Sequence, residues 1–169
     1  MKIFSANLKN LEELYTASLK KTLDMEQQLT KVLPTMIEKT TDPELRSGLQ
    51  RHLSETEGHV QRVESMLMDL TGDNDTETCK VMSALATEGS DMLTDADNEQ
   101  VCDVSIIAAC QQVEHHEIAI YGTLRSWADL LGRTNDAAVL EQILEEEKNA
   151  DRVLSMCSDK LNVEADMAA

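Results

Sequence analysis

Five glutamates, an aspartate and a histidine fall on or beside positions that a helix would turn toward its apolar side. Glu26 follows Met25 and precedes Leu29 by three residues. Cys110, Val113, Glu114, Glu117 and Tyr121 stand at steps of three and four and so share one helical face. Val139, Leu140, Ile143 and Leu144 set another stripe, which Glu147 and Asp151 continue toward Leu154. Glu55 and His59 are four apart at the edge of a stripe set by Leu49, Leu53 and Val63, with His52 one turn earlier. A charged side chain on a core face is costly unless it is paired, hydrogen-bonded or bound to a cation.

Carboxylates converging from several helices repel one another by many kcal/mol unless they are protonated or neutralised. Two divalent cations bridged by carboxylates remove that repulsion, and oxygen and imidazole ligands suit iron and manganese. Glu26 to Glu55 spans 29 residues and Glu114 to Glu147 spans 33 (55 − 26 and 147 − 114). In two antiparallel hairpins, separations of this size bring the acids to one level. Dimetal helix bundles draw one Glu from each of two helices and Glu-x-x-His from each of the other two. Here the pattern is altered. Three residues after Glu55 is Gly58, with the histidine at 59, and three after Glu147 is Ala150, with Asp151 next. The third long helix offers Glu114-x-x-Glu117 instead.

The elements that must position these groups are helical. Apolar residues recur at three- and four-residue steps through long segments. The first helix is predicted from about residue 8 to 39, with Leu8, Leu11, Tyr15, Ser18, Thr22, Met25, Leu29, Val32 and Met36 inward and a kink at Pro34. TTDPELRSGL reads as a helix start, with Asp42 as N-cap and Pro43 at the first helical position. This second helix stops at TGDND. A short helix over about 77–93 follows, then a long one over about 98–131 ending at Gly132, and a last one from about 135 to 161 with a frayed tail, NVEADMAA. Two hairpins joined by one long crossover with a small extra helix make an all-α, ferritin-like four-helix bundle. One domain spans 1–169, with its ordered core over about 7–161.

Composition agrees. Hydrophobic residues make up 41% but aromatics only 2% (Phe4, Tyr15, Tyr121 and Trp127), and two prolines and six glycines interrupt the chain. A net charge of −17 without a Lys/Arg cluster argues against nucleic acid. No apolar run reaches membrane-spanning length, and MKIFSANLKNLEEL is too short and polar for a signal peptide, so a cytoplasmic protein is expected. Cys79, Cys102, Cys110 and Cys157 form no Cys-x-x-Cys pair and read as reduced thiols, Cys110 and Cys157 in the core.

The segments DMEQQLTKVLP, HLSETEGHVQRVE, EHHEIAIYGTL and LEEEKNADRVL together resemble the YciE/YciF stress-response family of ferritin-like proteins over about residues 7–160. The resemblance implies a rubrerythrin-like bundle, a homodimer and a role in bacterial stress. It also places Glu26, Glu55, Glu114 and Glu147 where ferritin-like proteins carry metal-binding carboxylates, with Glu117 as the second acid of a Glu-x-x-Glu. Aligning the last helix by Asp151 would put Glu146 in place of Glu147; helical phase favours Glu147. With no rubredoxin-like cysteine motif, peroxide reduction would need an external electron donor.

For His59 three roles stay open: metal ligand, partner of a ligand, or surface histidine. His115 is expected to be exposed, His116 to stand at most behind a ligand, and His52 to be structural. Tyr121 would bond a carboxylate or relay electrons, a buried tyrosine satisfied by a neighbour being the commoner case. The leading reading is an oxidoreductase acting on oxygen or peroxide with two iron or manganese ions. Its alternatives are a non-catalytic helical stress-response dimer with weak or no metal binding and, less favoured, an iron-storing shell.

Overall fold

Among the described residues five helices follow one another: α1 (Leu11–Lys39), α2 (Pro43–Thr71), α3 (Lys80–Asp95), α4 (Glu99–Leu130) and α5 (Thr134–Met167). The computed structural model describes residues 8–168. The first half of the stretch weighed as a signal peptide, and residue 7 at the start of the expected ordered core, lie outside that range. The α1/α2 and α4/α5 hairpins pack into a ferritin-like four-helix bundle, and the 72–98 crossover carries α3 against α4 and α1.

Local chemistry sets the boundaries. Asn10 and Asn98 cap α1 and α4 by accepting the backbone N–H of Glu13 and Val101. Asp42 accepts from the N–H of Glu44 and Leu45, with Pro43 pre-set for the first turn of α2. Gly72, at φ 77°, closes α2 in the left-handed region, where its N–H reaches the Met68 carbonyl. Helix α1 runs on past Pro34 to Lys39, with the proline on its exposed side.

Three expectations need correction. Leu8 is 42% exposed and precedes the α1 cap, so it is not an inward residue. Helix α3 starts at Lys80 rather than 77, because Asp24 of α1 takes the Cys79 N–H and holds that residue extended as a cap. The tail expected to fray is helical through Met167: Glu, Ala and Met are good helix formers, and Lys160 ties this turn to Glu164 and to Asp42.

The core is aliphatic, with Leu19, Leu23, Leu33, Leu67, Ile106, Leu140 and Ile143 almost fully buried, and Cys110 and Cys157 lie within it. Two polar anchors hold the bundle ends. Buried Asp103 of α4 accepts from the Thr41 N–H, the Thr41 hydroxyl and the Asp42 N–H at 2.9, 2.7 and 2.9 Å, fixing the α1–α2 turn. At the other end Tyr15 donates to Asp136, which also accepts from Arg133. Between these ends lies a third polar zone, with no such balance of donors and acceptors.

Candidate metal centre

Each long helix delivers side chains to the middle of the bundle: Glu26 from α1, His52 and His59 from α2, Glu114 and Glu117 from α4, and Glu147 from α5, all buried. The register is regular. Glu26 to His59 and Glu114 to Glu147 are each 33 residues (59 − 26 and 147 − 114), so both hairpins bring their partners to one height. His52 and His59 are seven residues apart, two turns of one face.

Two groups of potential ligands result, each with its ligand atoms within 4.8 Å of one another: His52, Glu114, Glu117 and Glu147; and Glu26, His59 and Glu147. Glu147 belongs to both, as a carboxylate bridging two ions would. His52 Nε2 lies 3.2 Å from Glu114 Oε1, and His59 Nδ1 lies 2.9 Å from Glu147 Oε1 and 3.6 Å from Glu26 Oε2. These approaches are close but not aligned as hydrogen bonds. Nine buried polar atoms here have no hydrogen-bond partner among the described residues: one oxygen each of Glu26 and Glu114, both of Glu117 and of Glu147, both nitrogens of His52, and Nδ1 of His59. Buried polar atoms are ordinarily satisfied, so such a concentration of donor atoms aimed at a common space fits divalent cations.

The electrostatics lean the same way. Burial, then the field of Glu147, pushes Glu114 and Glu117 well above the usual carboxylate range. Burial also raises Glu147, against the pull of His59. His52 is lowered to about 4 by burial and by neighbouring His59. For His59 burial opposes the charge, but the close approach and negative charge of Glu147 and Glu26 outweigh it and raise the imidazole to about 10. Without a cation, the chain answers its crowded carboxylates by holding protons.

Supporting contacts orient the potential ligands. His59 turns Nε2 to Glu146 Oε2 at 2.8 Å, leaving Nδ1 toward Glu26 and Glu147, and Arg62 anchors Glu146. A carboxylate behind an imidazole is the usual means of fixing a metal-binding histidine. Tyr121 donates its hydroxyl to Glu26 Oε1, and its ring meets His59 edge-on at 6.1 Å between centroids.

The structure thus gathers Glu26, His59, Glu114, Glu117 and Glu147, with Tyr121 bonded to Glu26, and leaves Glu55 and Asp151 outside both groups. The buried residues of α2 run 45, 49, 52, 56, 59 and 63, and Glu55 sits one step off that row, half-buried beside the site. Asp151, half-buried, approaches His115 Nδ1 and Gln111 Nε2 at 3.6 and 3.5 Å. His115 is exposed, and His116 faces Cys79 Sγ at 3.8 Å rather than the site.

His52, expected to be structural, lies instead in the group with Glu114, Glu117 and Glu147. Its seven-residue distance from His59 was the available signal. Three residues before His59, where Glu-x-x-His would place its acid, stands buried Thr56, whose hydroxyl donates to the His52 carbonyl. Helix α2 thus offers two imidazoles in place of a carboxylate and an imidazole.

Residues 10–166 match the family described as a domain of unknown function, DUF892. Protein YciF of Escherichia coli strain K12 is 32% identical over 165 residues, covering 96% of this chain and 99% of that protein. The crystal structure of that E. coli protein, described as a stress protein, superposes with a TM-score of 0.86 over 91% of this chain and 98% of that one. A protein from Rhodopseudomonas palustris, described as YcfI, a putative structural protein, is 35% identical, with a TM-score of 0.86 over 90% of this chain and 98% of its own.

Proposed function

Since this chain belongs to the DUF892 family of YciF-like proteins, we propose that it is a stress-related dimetal-carboxylate protein that reacts with oxygen or peroxide. The observation that carries this reading is the set of nine unpaired polar atoms, from six buried side chains, around the shared Glu147. Two iron or manganese ions bound there supply redox chemistry toward O2 or H2O2. The chain's own groups do the rest. Glu114, Glu117 and His52 would hold one ion and Glu26 and His59 the other, with Glu147 within reach of both. Glu146 fixes the His59 ring, and Tyr121 fixes Glu26. Leu29, Leu33, Cys110 and Val113 line a small apolar space against His52 and Glu114 that keeps bulk water off the donor atoms. Reduction of peroxide draws its electrons from an external donor, and disproportionation needs none. The family resemblance supports a homodimer, which light scattering of the purified chain checks.

A second reading is a non-catalytic stress protein. Thr56 in place of the expected acid favours it, as does the description of the R. palustris relative as a putative structural protein. One experiment separates the two: the protein loaded with Mn(II) or Fe(II) is mixed with H2O2, and peroxide and dissolved oxygen are followed against the chelator-treated protein. Peroxide loss that needs the metal and disappears in Glu147→Ala supports the oxidoreductase. Metal retained with no peroxide or oxygen turnover supports the non-catalytic reading.

A further inference from the structure

A narrow cleft separates α2 from α5 directly over the candidate centre. Its outer end carries exposed Arg51 and Asn149, and its inner end is formed by His52 and Glu114, which are 5% and 1% exposed. The His52 ring, with neither nitrogen hydrogen-bonded, is an unpartnered buried polar group at the floor of this cleft. The free space is about 20 Å³, enough for one water-sized molecule. Small residues leave it open. Gly48 and Ala150 face it from opposite helices, and a Cβ added at Gly48 would lie 3.4 Å from Val153 Cγ1. The α2–α5 contact is also slighter than the contact within either hairpin. Glu55 lies along this wall, makes no ion pair among the described residues, and is the one carboxylate between the mouth and the buried acids that belongs to neither ligand group.

We propose that the α2/α5 cleft is the passage by which divalent cations and water-sized oxidants reach the buried centre, with Glu55 as the carboxylate that receives an incoming cation and passes it to His52 and Glu114. This rests on the dimetal reading above and adds to it a route, a size limit and a role for Glu55. With Arg51, Arg62 and Glu146 near it, Glu55 is the carboxylate along this wall that an incoming divalent ion meets before the buried acids. It holds the ion only weakly, because it stands apart from the cluster. Gly48 and Ala150 set the passage at the size of water, O2 or H2O2, so bulkier organic peroxides do not enter.

The test follows the uptake of Mn(II) by the chelator-treated, desalted full chain, read as loss of the EPR signal of free aqueous Mn(II) after rapid mixing. Ala150→Leu is expected to slow loading by about tenfold or more, because a filled passage must open transiently. Gly48→Ala, a single added methyl, is expected to slow it to a lesser degree. Glu55→Gln is expected to slow it by about threefold through loss of charge at the mouth, and to reach the wild-type final content. Circular dichroism confirms that each variant is folded, and Gly48→Ala decides the matter if Ala150→Leu is not. Wild-type loading rates in the cleft variants overturn the passage. A wild-type rate in Glu55→Gln, or a lowered final Mn(II) content that makes Glu55 a resident ligand, overturns its transit role. No Mn(II) uptake by the wild-type chain defeats the dimetal reading itself, a result distinct from all of these.

Discussion

Glu117 is fully buried, neither of its oxygens has a partner, and its pKa is raised well above the ordinary value of 4.5. In the metal-free protein it is therefore a cost to folding, and Glu117→Gln, which keeps the shape and removes the ionisation, should stabilise the chain. The magnitude is bounded by the proton the folded state must retain. An acid of ordinary pKa 4.5 that stays protonated in the fold at pH 7 costs at most about 3 kcal/mol, from 1.36 kcal/mol per pH unit over 2.5 units. The sign follows from the raised pKa: the folded state binds more protons than the unfolded one. The cost of Glu117 is thus absent below pH 4.5 and grows as the pH rises from there toward its folded pKa. The advantage of the Gln variant should therefore be near zero at pH 4.5 and grow toward neutrality. For a chain of this size about 3 kcal/mol corresponds to a rise in Tm of roughly 6–12 °C. With Mn(II) present the gap narrows, since the wild type gains about 2.7 kcal/mol when the free metal is one hundred times Kd and the variant gains less. Calorimetric melts at pH 5 and 7, with chelator and with Mn(II), read all four values. A Gln variant less stable than wild type in chelator at pH 7, or an advantage that does not shrink at pH 5, would refute the argument.

Other contacts yield further expectations. Glu146→Gln should lower metal affinity by about 10- to 100-fold without loss of helicity, because the His59 ring loses the anion that orients it; titration with Mn(II) measures this. Tyr121→Phe leaves Glu26 Oε1 without its donor, which should cost about 1–3 kcal/mol in chemical denaturation of the metal-free protein. Asp103→Ala strips the α1–α2 turn of an acceptor for three donors and should cost about 2–4 kcal/mol, yet leave the metal content per folded chain unchanged.

Helical punctuation made the bundle legible from the residues. Asp42-Pro43 marked the start of α2, the TGDND segment its end and Gly132 the α4–α5 turn, and the long 72–98 connection marked the crossover. Within the site, the acids that follow the three- and four-residue rows closely, Glu26, Glu114, Glu117 and Glu147, are those the fold brings together. Glu55 was harder to place. A residue at the border of a stripe turns inward or outward according to the rotation of its helix, and the packing of α2 against α1 and α5 together fixes that rotation. The same rotation carries His52 inward. Asp103 was invisible for another reason: its partners are the backbone N–H groups of Thr41 and Asp42 and the Thr41 hydroxyl, about sixty residues away, and side-chain periodicity carries no information about them.

The central claim is that cations hold these acids together, and elemental analysis of the chain purified without a chelator tests it most directly, beside Glu147→Ala, which removes the side chain shared by both ligand groups. The account predicts about two iron or manganese ions per wild-type chain and loss of both in the variant. No metal in the wild type, even after anaerobic loading with Fe(II) and Mn(II), would contradict it.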